Sequence, residues 1–282
     1  NPSNFRGAVG SLSGSQTLVL APGRYPGLNI TGKTFSNATI QCAEPGKCIF
    51  GSSDIVRVRG LTIDGVTIQG SNVGINVLES QNITIRCSTF IRQTSSGILI
   101  KPGHSTEQIA IDKNVFYNDR LGCNYVTGDC SGHLSDGSPV AEMDYGVRAY
   151  DARGLYIRGN IFGSLFDHAI SLKYGVKYAA IDGNTFNSCG RICIQLGQEP
   201  NTVPKGYRSC GEAVVTNNTL SGQALRGILI QNIEKVTMKN NSNTVSGQKI
   251  FAQPGYSKCN TNTGGCPLLG NGQPANRQII NN

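Results

Sequence analysis

The 282-residue chain has no tryptophan, two methionines and three histidines, and only 15% of its residues are charged. So small a charged share argues against a helical bundle or coiled coil, whose exposed faces need Lys, Glu and Arg. Three histidines, and ten cysteines without one Cys-x-x-Cys pair, argue against a zinc site. There is no run of five Lys or Arg, which argues against a nucleic-acid-binding tail. No apolar stretch is long enough to read as a membrane span.

What is present points to a turn-rich β protein: 36 glycines beside 38% hydrophobic residues. The net charge is +8 and is spread along the body of the chain, so a basic face and an anionic partner are expected. The cysteines fall in short pairs, Cys42/Cys48, Cys123/Cys130 and Cys259/Cys266, with a cluster of Cys189, Cys193 and Cys210 and with Cys87 apart. That pattern predicts local disulfides formed in an oxidising compartment, with Cys193 bonded to Cys189 or Cys210. The chain starts at Asn1 without a hydrophobic leader, which reads as a mature secreted chain acting outside the cell as a monomer. Asn-x-Ser/Thr glycan acceptors occur at Asn29, Asn37, Asn82, Asn217 and Asn240.

An internal repeat organises the chain. The octets LTIDGVTI (61–68), ITIRCSTF (83–90), IAIDKNVF (109–116), LYIRGNIF (155–162), AAIDGNTF (179–186) and AVVTNNTL (213–220) align, and a degenerate copy begins at Val236. Their starts lie 22, 26, 46, 24, 34 and 23 residues apart, one short period with occasional insertions. Asn recurs at the sixth position and Phe at the eighth, and each octet is followed by a second alternating segment such as GILIKPG (97–103) or AISLKYG (169–175). Such a unit cannot bury a core alone, but stacked copies can, at about 4.8 Å per rung. The expected fold is all-β: a single-domain right-handed parallel β-helix (solenoid) over residues 1–282, with loop insertions at 117–144 and 197–211 and a C-terminal loop tail at 253–282. A short helix around 4–10 is expected to precede the first coil. The Asn column is read as a hydrogen-bonded ladder at a turn where Asn tolerates positive φ.

Period-2 alternation sorts the second segment into faces. It places Ile75, Ile98, Val147, Ile170, Ile192 and Ile228 inward. One outward column is then Asn76, Leu99, Arg148, Ser171, Cys193, Leu229, and the next is Leu78, Lys101, Tyr150, Lys173, Gln195, Gln231. Lys101, Arg148, Tyr150 and Lys173 therefore share a face, with Asp151 and Tyr174 beside them, His168 and Asp167 entering from the preceding turn, and the two insertions flanking it. Long loops on a rigid scaffold are where binding function concentrates. His133, in the first insertion, is placed to close over the groove.

A lysine beside Lys101 and Arg148 has reason to lose its proton more readily than a free one, because like charge disfavours the ammonium form. Neutral Lys173 is a base; Arg148 or Arg191 can neutralise a carboxylate; Tyr150 can protonate a leaving oxygen, and His168 stands near. Those are the parts needed for β-elimination from a uronic-acid polysaccharide, an acidic partner that suits +8. Gln195, Gln231, Lys101, Arg191 and Tyr174 are the sugar-binding candidates. A glycoside hydrolase using Asp167 with Asp151 or Asp144 is the second reading, and a non-catalytic glycan-binding protein the third. Neither a nucleic-acid nor a membrane partner is expected.

The stretch AISLKYGVKYAAIDGNTFNSCGRICIQLGQ (169–198) resembles the catalytic region of the chondroitinase B and alginate lyase family of right-handed β-helix polysaccharide lyases. There a strand ending Ile-Ser-Val-Lys carries the base, and an Asn-Thr-Phe turn follows one coil later. The resemblance implies that Lys173 is the base. The family's arginine falls on Gln195, its following histidine on Leu196, and its two calcium-holding glutamates on Phe166 and His168. No cofactor is therefore expected, with calcium the one metal the family leaves open. The mannuronan epimerases share only Tyr145 and Gly146 in the segment YGVRAYD (145–151).

Overall fold

The computed structural model describes residues 2–103, 106–117, 143–163, 167–198, 210–252 and 278–281. Coils contribute one strand each to a 10-stranded sheet, and most add one long strand or two short ones to a larger sheet of 16 strands that bends into two arms. The 10-stranded sheet runs from Thr17–Leu20 to Gln278–Asn281, and successive coils pair in parallel along it. The bend is visible in Thr67–Leu78 and Thr89–Ile100, whose 12 residues each serve both arms. The aligned octets stack as read: Ile63, Ile85, Ile111, Ile157, Ile181, Val215 and Met238 form one inward row.

The phenylalanine column is a continuous stack. Phe90, Phe116, Phe162 and Phe186 follow one another at 4.7, 4.8 and 5.0 Å between ring centroids, each fully buried. A buried aromatic of this size contributes about 1.5–3 kcal/mol by removal from water alone. Gly146 borders the stack: a Cβ there would lie 2.8 Å from the Phe162 ring. The N-terminal end is closed by a helix at Phe5–Ser11, which lays Phe5 against Tyr25 and Phe50 at 5.2 and 5.4 Å.

The asparagine column is a ladder, for a different reason than the sequence suggested. Asn114, Asn160, Asn184 and Asn218 each donate from Nδ2 to Oδ1 of the next, ending at Asn241, at 2.9–3.1 Å. Each also donates Nδ2 to a main-chain oxygen one coil back. None of these residues has positive φ; the residue before each one does, as in Lys113, Gly159, Gly183, Asn217 and Asn240. The left-handed step belongs to the preceding position, and Asn is selected by its paired donor and acceptor.

On the outer side of the 10-stranded sheet, Asp64, Arg86, Asp112, Arg158 and Asp182 occupy one column with alternating sign. Arg86 meets Asp64, and Arg158 meets Asp112, both at 2.8 Å. Among the described residues two disulfides are present, Cys42–Cys48 and Cys189–Cys193, so the latter pairing resolves the cluster, and Cys87 and Cys210 are free thiols. The other two expected pairs and most of both insertions and the tail lie outside the described residues.

Candidate functional site

The second arm of the bent sheet carries the site. Its strands Tyr145–Ala149, His168–Leu172 and Gly190–Leu196 lie side by side in parallel. The register brings Tyr145 beside His168, Arg148 beside Ser171, and Ala149 beside Leu172. Main-chain bonds continue the next column just past the strand ends: Lys101, Tyr150, Lys173, Gly197 and Gln231 each donate N–H one coil back. Lys101, Tyr150 and Lys173 thus follow one another as expected.

One column is corrected. Ser171 pairs with Gln195, and Ile170 with Ile194, so Gly190–Leu196 is offset by two residues from the simple alternation. Gln195 therefore continues the Arg148 column, and the residue in line with Lys173 is Gly197. Ile192 falls in line with His168, and Cys193 is buried in its disulfide. Alternation is blind to this error, because a shift of two leaves every residue on the same face, and burial does not mark the register either, since Ile192–Gly197 is buried throughout.

Lys173 is only 9% exposed. Its ammonium is held back first by burial and then by Arg148, against a smaller opposing pull from Asp167 and Cys210, which together bring its pKa down to about 8. Lys101, expected to contribute, is not among the causes. The Nζ donates to Gln195 Oε1 at 3.0 Å and stands 5.5 Å from the Tyr145 ring centroid. The Arg148 guanidinium lies between two aromatic faces, 4.5 Å from Tyr145 and 5.1 Å from Tyr150. Tyr174 packs its ring 4.9 Å from Tyr150. Gly175, next in sequence, has φ +76 and comes so close to Asp151 that a Cβ would lie 2.9 Å from the Asp151 backbone, which fixes how the chain leaves Lys173.

A second cluster adjoins the first. His168 stacks on Tyr145 at 5.2 Å and 12°, and its Nδ1 lies 2.6 Å from Asp167 Oδ2. Arg191, exposed, reaches Asp167 Oδ1 at 2.9 Å. Burial pushes the Asp167 carboxyl up, but His168, Arg191 and Tyr145 outweigh it and leave it below the ordinary carboxylate range. Burial lowers His168 despite Asp167 beside it, which favours the neutral imidazole. Burial and the Asp167 charge push the Tyr145 phenol up to about 12.

Tyr145 is the residue that sequence reasoning did not select. It touches His168, Arg148 and Lys173, and the signal was its place 23 residues before His168 at the same point of the repeat. Gln195 and Gln231 are 6% and 5% exposed, and Gln195 Nε2 donates to Gln231 Oε1 at 2.7 Å, so their amides face each other. His133 lies outside the described residues. For calcium, Phe166 is likewise outside them; His168 offers an imidazole engaged by Asp167, where that ion takes oxygen ligands, so His168 does not suit it. Among the described residues no three His, Cys, Asp or Glu side chains cluster as a metal site requires, and no helix is long and apolar enough to cross a membrane.

The model of the "Right handed beta helix region" family matches residues 13–162 and 52–203. Among solved structures, an alginate lyase from Paenibacillus sp. str. FPU-7 is similar, with 12% identity, a TM-score of 0.51, and coverage of 89% of this chain and 96% of that one. The surface adhesin PfbA of Streptococcus pneumoniae is similar at 13% identity and TM-score 0.49, covering 89% and 95%. A pectate lyase variant from Xanthomonas campestris is similar at 12% and 0.48, covering 90% and 78%. Likeness at such identities establishes the fold alone. No curated protein matches the sequence.

Proposed function

Because the chain belongs to the right-handed β-helix family, a scaffold whose exposed strands can line a long groove, we propose that it acts on an acidic polysaccharide and cleaves it by β-elimination. The carrying observation is Lys173, buried beside Arg148 and lowered to about 8, so that a substantial neutral fraction exists near neutral pH. Lys173 Nζ takes the proton α to the uronate carboxylate. Arg148, clamped between Tyr145 and Tyr150, pairs with that carboxylate and holds the charge that develops on it. The carbanion collapses to a carbon–carbon double bond as the glycosidic C–O bond breaks, and Tyr150 donates its phenolic proton to the departing oxygen. Tyr150, next to Lys173 along the column, stays a protonated donor because burial raises its pKa. His168 and Tyr145 wall the site, Lys101 continues the column of Tyr150 and Lys173, Tyr174 packs on Tyr150, and the charge of +8 draws the polymer in.

Asp167 is ill suited to the acid role that a glycoside hydrolase would ask of it, since its partners keep it ionised. The disulfides support an extracellular setting. The test is a screen over alginate, pectate, glucuronan and glycosaminoglycans, read by the ultraviolet absorbance of an unsaturated uronate. Chain shortening without that absorbance would replace the lyase with a hydrolase, and binding without shortening would leave a glycan-binding protein.

A further inference from the structure

We propose that Gln195 is a positioning residue for Lys173: its side-chain oxygen fixes where the amine sits. The inference rests on the reading of Lys173 as the base. Four buried side chains make one hydrogen-bonded row. Ser171 Oγ donates to Gln195 Oε1 at 2.6 Å, Lys173 Nζ donates to the same oxygen at 3.0 Å, and Gln195 Nε2 donates to Gln231 Oε1 at 2.7 Å. Ser171, Gln195, Lys173 and Gln231 are 0%, 6%, 9% and 5% exposed, so water competes little for these bonds.

The row fixes which way the Gln195 amide points. With Nε2 committed to Gln231, Oε1 must face Ser171 and Lys173; a flipped amide would set an N–H against the lysine. The choice of an amide matters too. Arg148, Asp167 and Cys210 are the charged or titratable groups that act on Lys173, and the Tyr145 ring stands beside it. A carboxylate at Gln195 would add a second negative charge in contact and pin the lysine as its ammonium ion. An amide oxygen accepts an N–H from either protonation state. It holds the group in place and leaves its proton free to move. This places Gln195 in support of the base, where the alternating pattern had suggested contact with sugar hydroxyls.

The test is direct and does not need turnover. Acylation of Lys173 by acetic anhydride across a pH series, followed by peptide mass spectrometry, reads its neutral fraction, with exposed Lys47 as internal reference. In Gln195→Glu, Lys173 acylation at pH 8 is expected to fall about fivefold or more relative to Lys47, in line with a shift of at least about one pKa unit from about 8. An unchanged Lys173 profile in a folded Gln195→Glu protein overturns the proposal. Should that variant not fold, Gln195→Met keeps the volume and removes the acceptor; kcat on the polymer is expected to fall about tenfold with KM unchanged, and an unchanged kcat overturns the proposal. Full activity of Lys173→Ala would instead remove the lyase mechanism, while the acylation result would still report on Gln195.

Discussion

The two outer faces of this solenoid handle charge in opposite ways. On the 10-stranded sheet, Asp64, Arg86, Asp112, Arg158 and Asp182 alternate in sign rung by rung, so every charge has an opposite neighbour. Their arginines are about half exposed, at 49% and 52%, and each pair contributes at most about 1 kcal/mol. On the second arm of the other sheet, Arg148 and Lys173 stand close together with the same sign, and Lys173 is nearly buried. Stacking in register offers the same opportunity in both places: any residue type can be set beside any other. One face uses it to satisfy charges, and the other keeps two cations together although folding gains nothing from it. A stable β-helix does not need the second arrangement, which is why the site is sought there.

The largest expected effect falls on the like-charged face. Lys173→Ala should lower kcat on the polymer by about 10²–10⁴-fold and leave binding largely intact, as steady-state kinetics beside a pull-down on the immobilised polysaccharide would reveal. Arg148→Ala should reduce kcat/KM by about 10²–10³-fold, weakening binding as well, because it removes the partner of the substrate carboxylate. It should also raise the pH at which activity appears, since Arg148 helps depress Lys173. In the native protein, kcat/KM should climb as pH rises through about 8, as Lys173 loses its proton.

The same lysine should leave a mark on stability. Its folded pKa of about 8 lies below its ordinary value of 10.5, so the folded state binds fewer protons in that interval and gains stability as pH rises across it. The penalty is fully present below about pH 8. Lys173→Met should therefore raise Tm most in that acidic range and least above pH 10.5; a pH-independent difference would count against a buried ammonium. The opposite-charge face should give the smallest response. Arg158→Ala should cost at most about 1 kcal/mol, less at high salt, with no change in turnover, by thermal melts at two ionic strengths. A large loss there would mean that the two faces differ less than the contrast claims.

The sequence made the fold readable because its repeats carry identical side chains at identical positions: five asparagines and four phenylalanines mark the rungs even across a 46-residue interval. The site was readable only in part. Arg148, Tyr150 and Lys173 were found by counting alternate residues from a strand. In Gly190–Leu196 counting gave Gln195 the wrong column, because a slip of two residues leaves the alternation unchanged. Tyr145 was passed over as the start of a strand. Burial, which does most to depress Lys173, has no signature in the order of residues along one coil.

The asparagine row also has an arrow. Every side-chain carbonyl points toward the N-terminal end, where Asn114 Oδ1 is met by the Ser88 N–H, and the amide dipoles run head to tail as far as Asn241. The row therefore has an acceptor terminus and a donor terminus that cannot be exchanged. A graft that prolongs the spine must present an N–H at one extremity and an oxygen at the other.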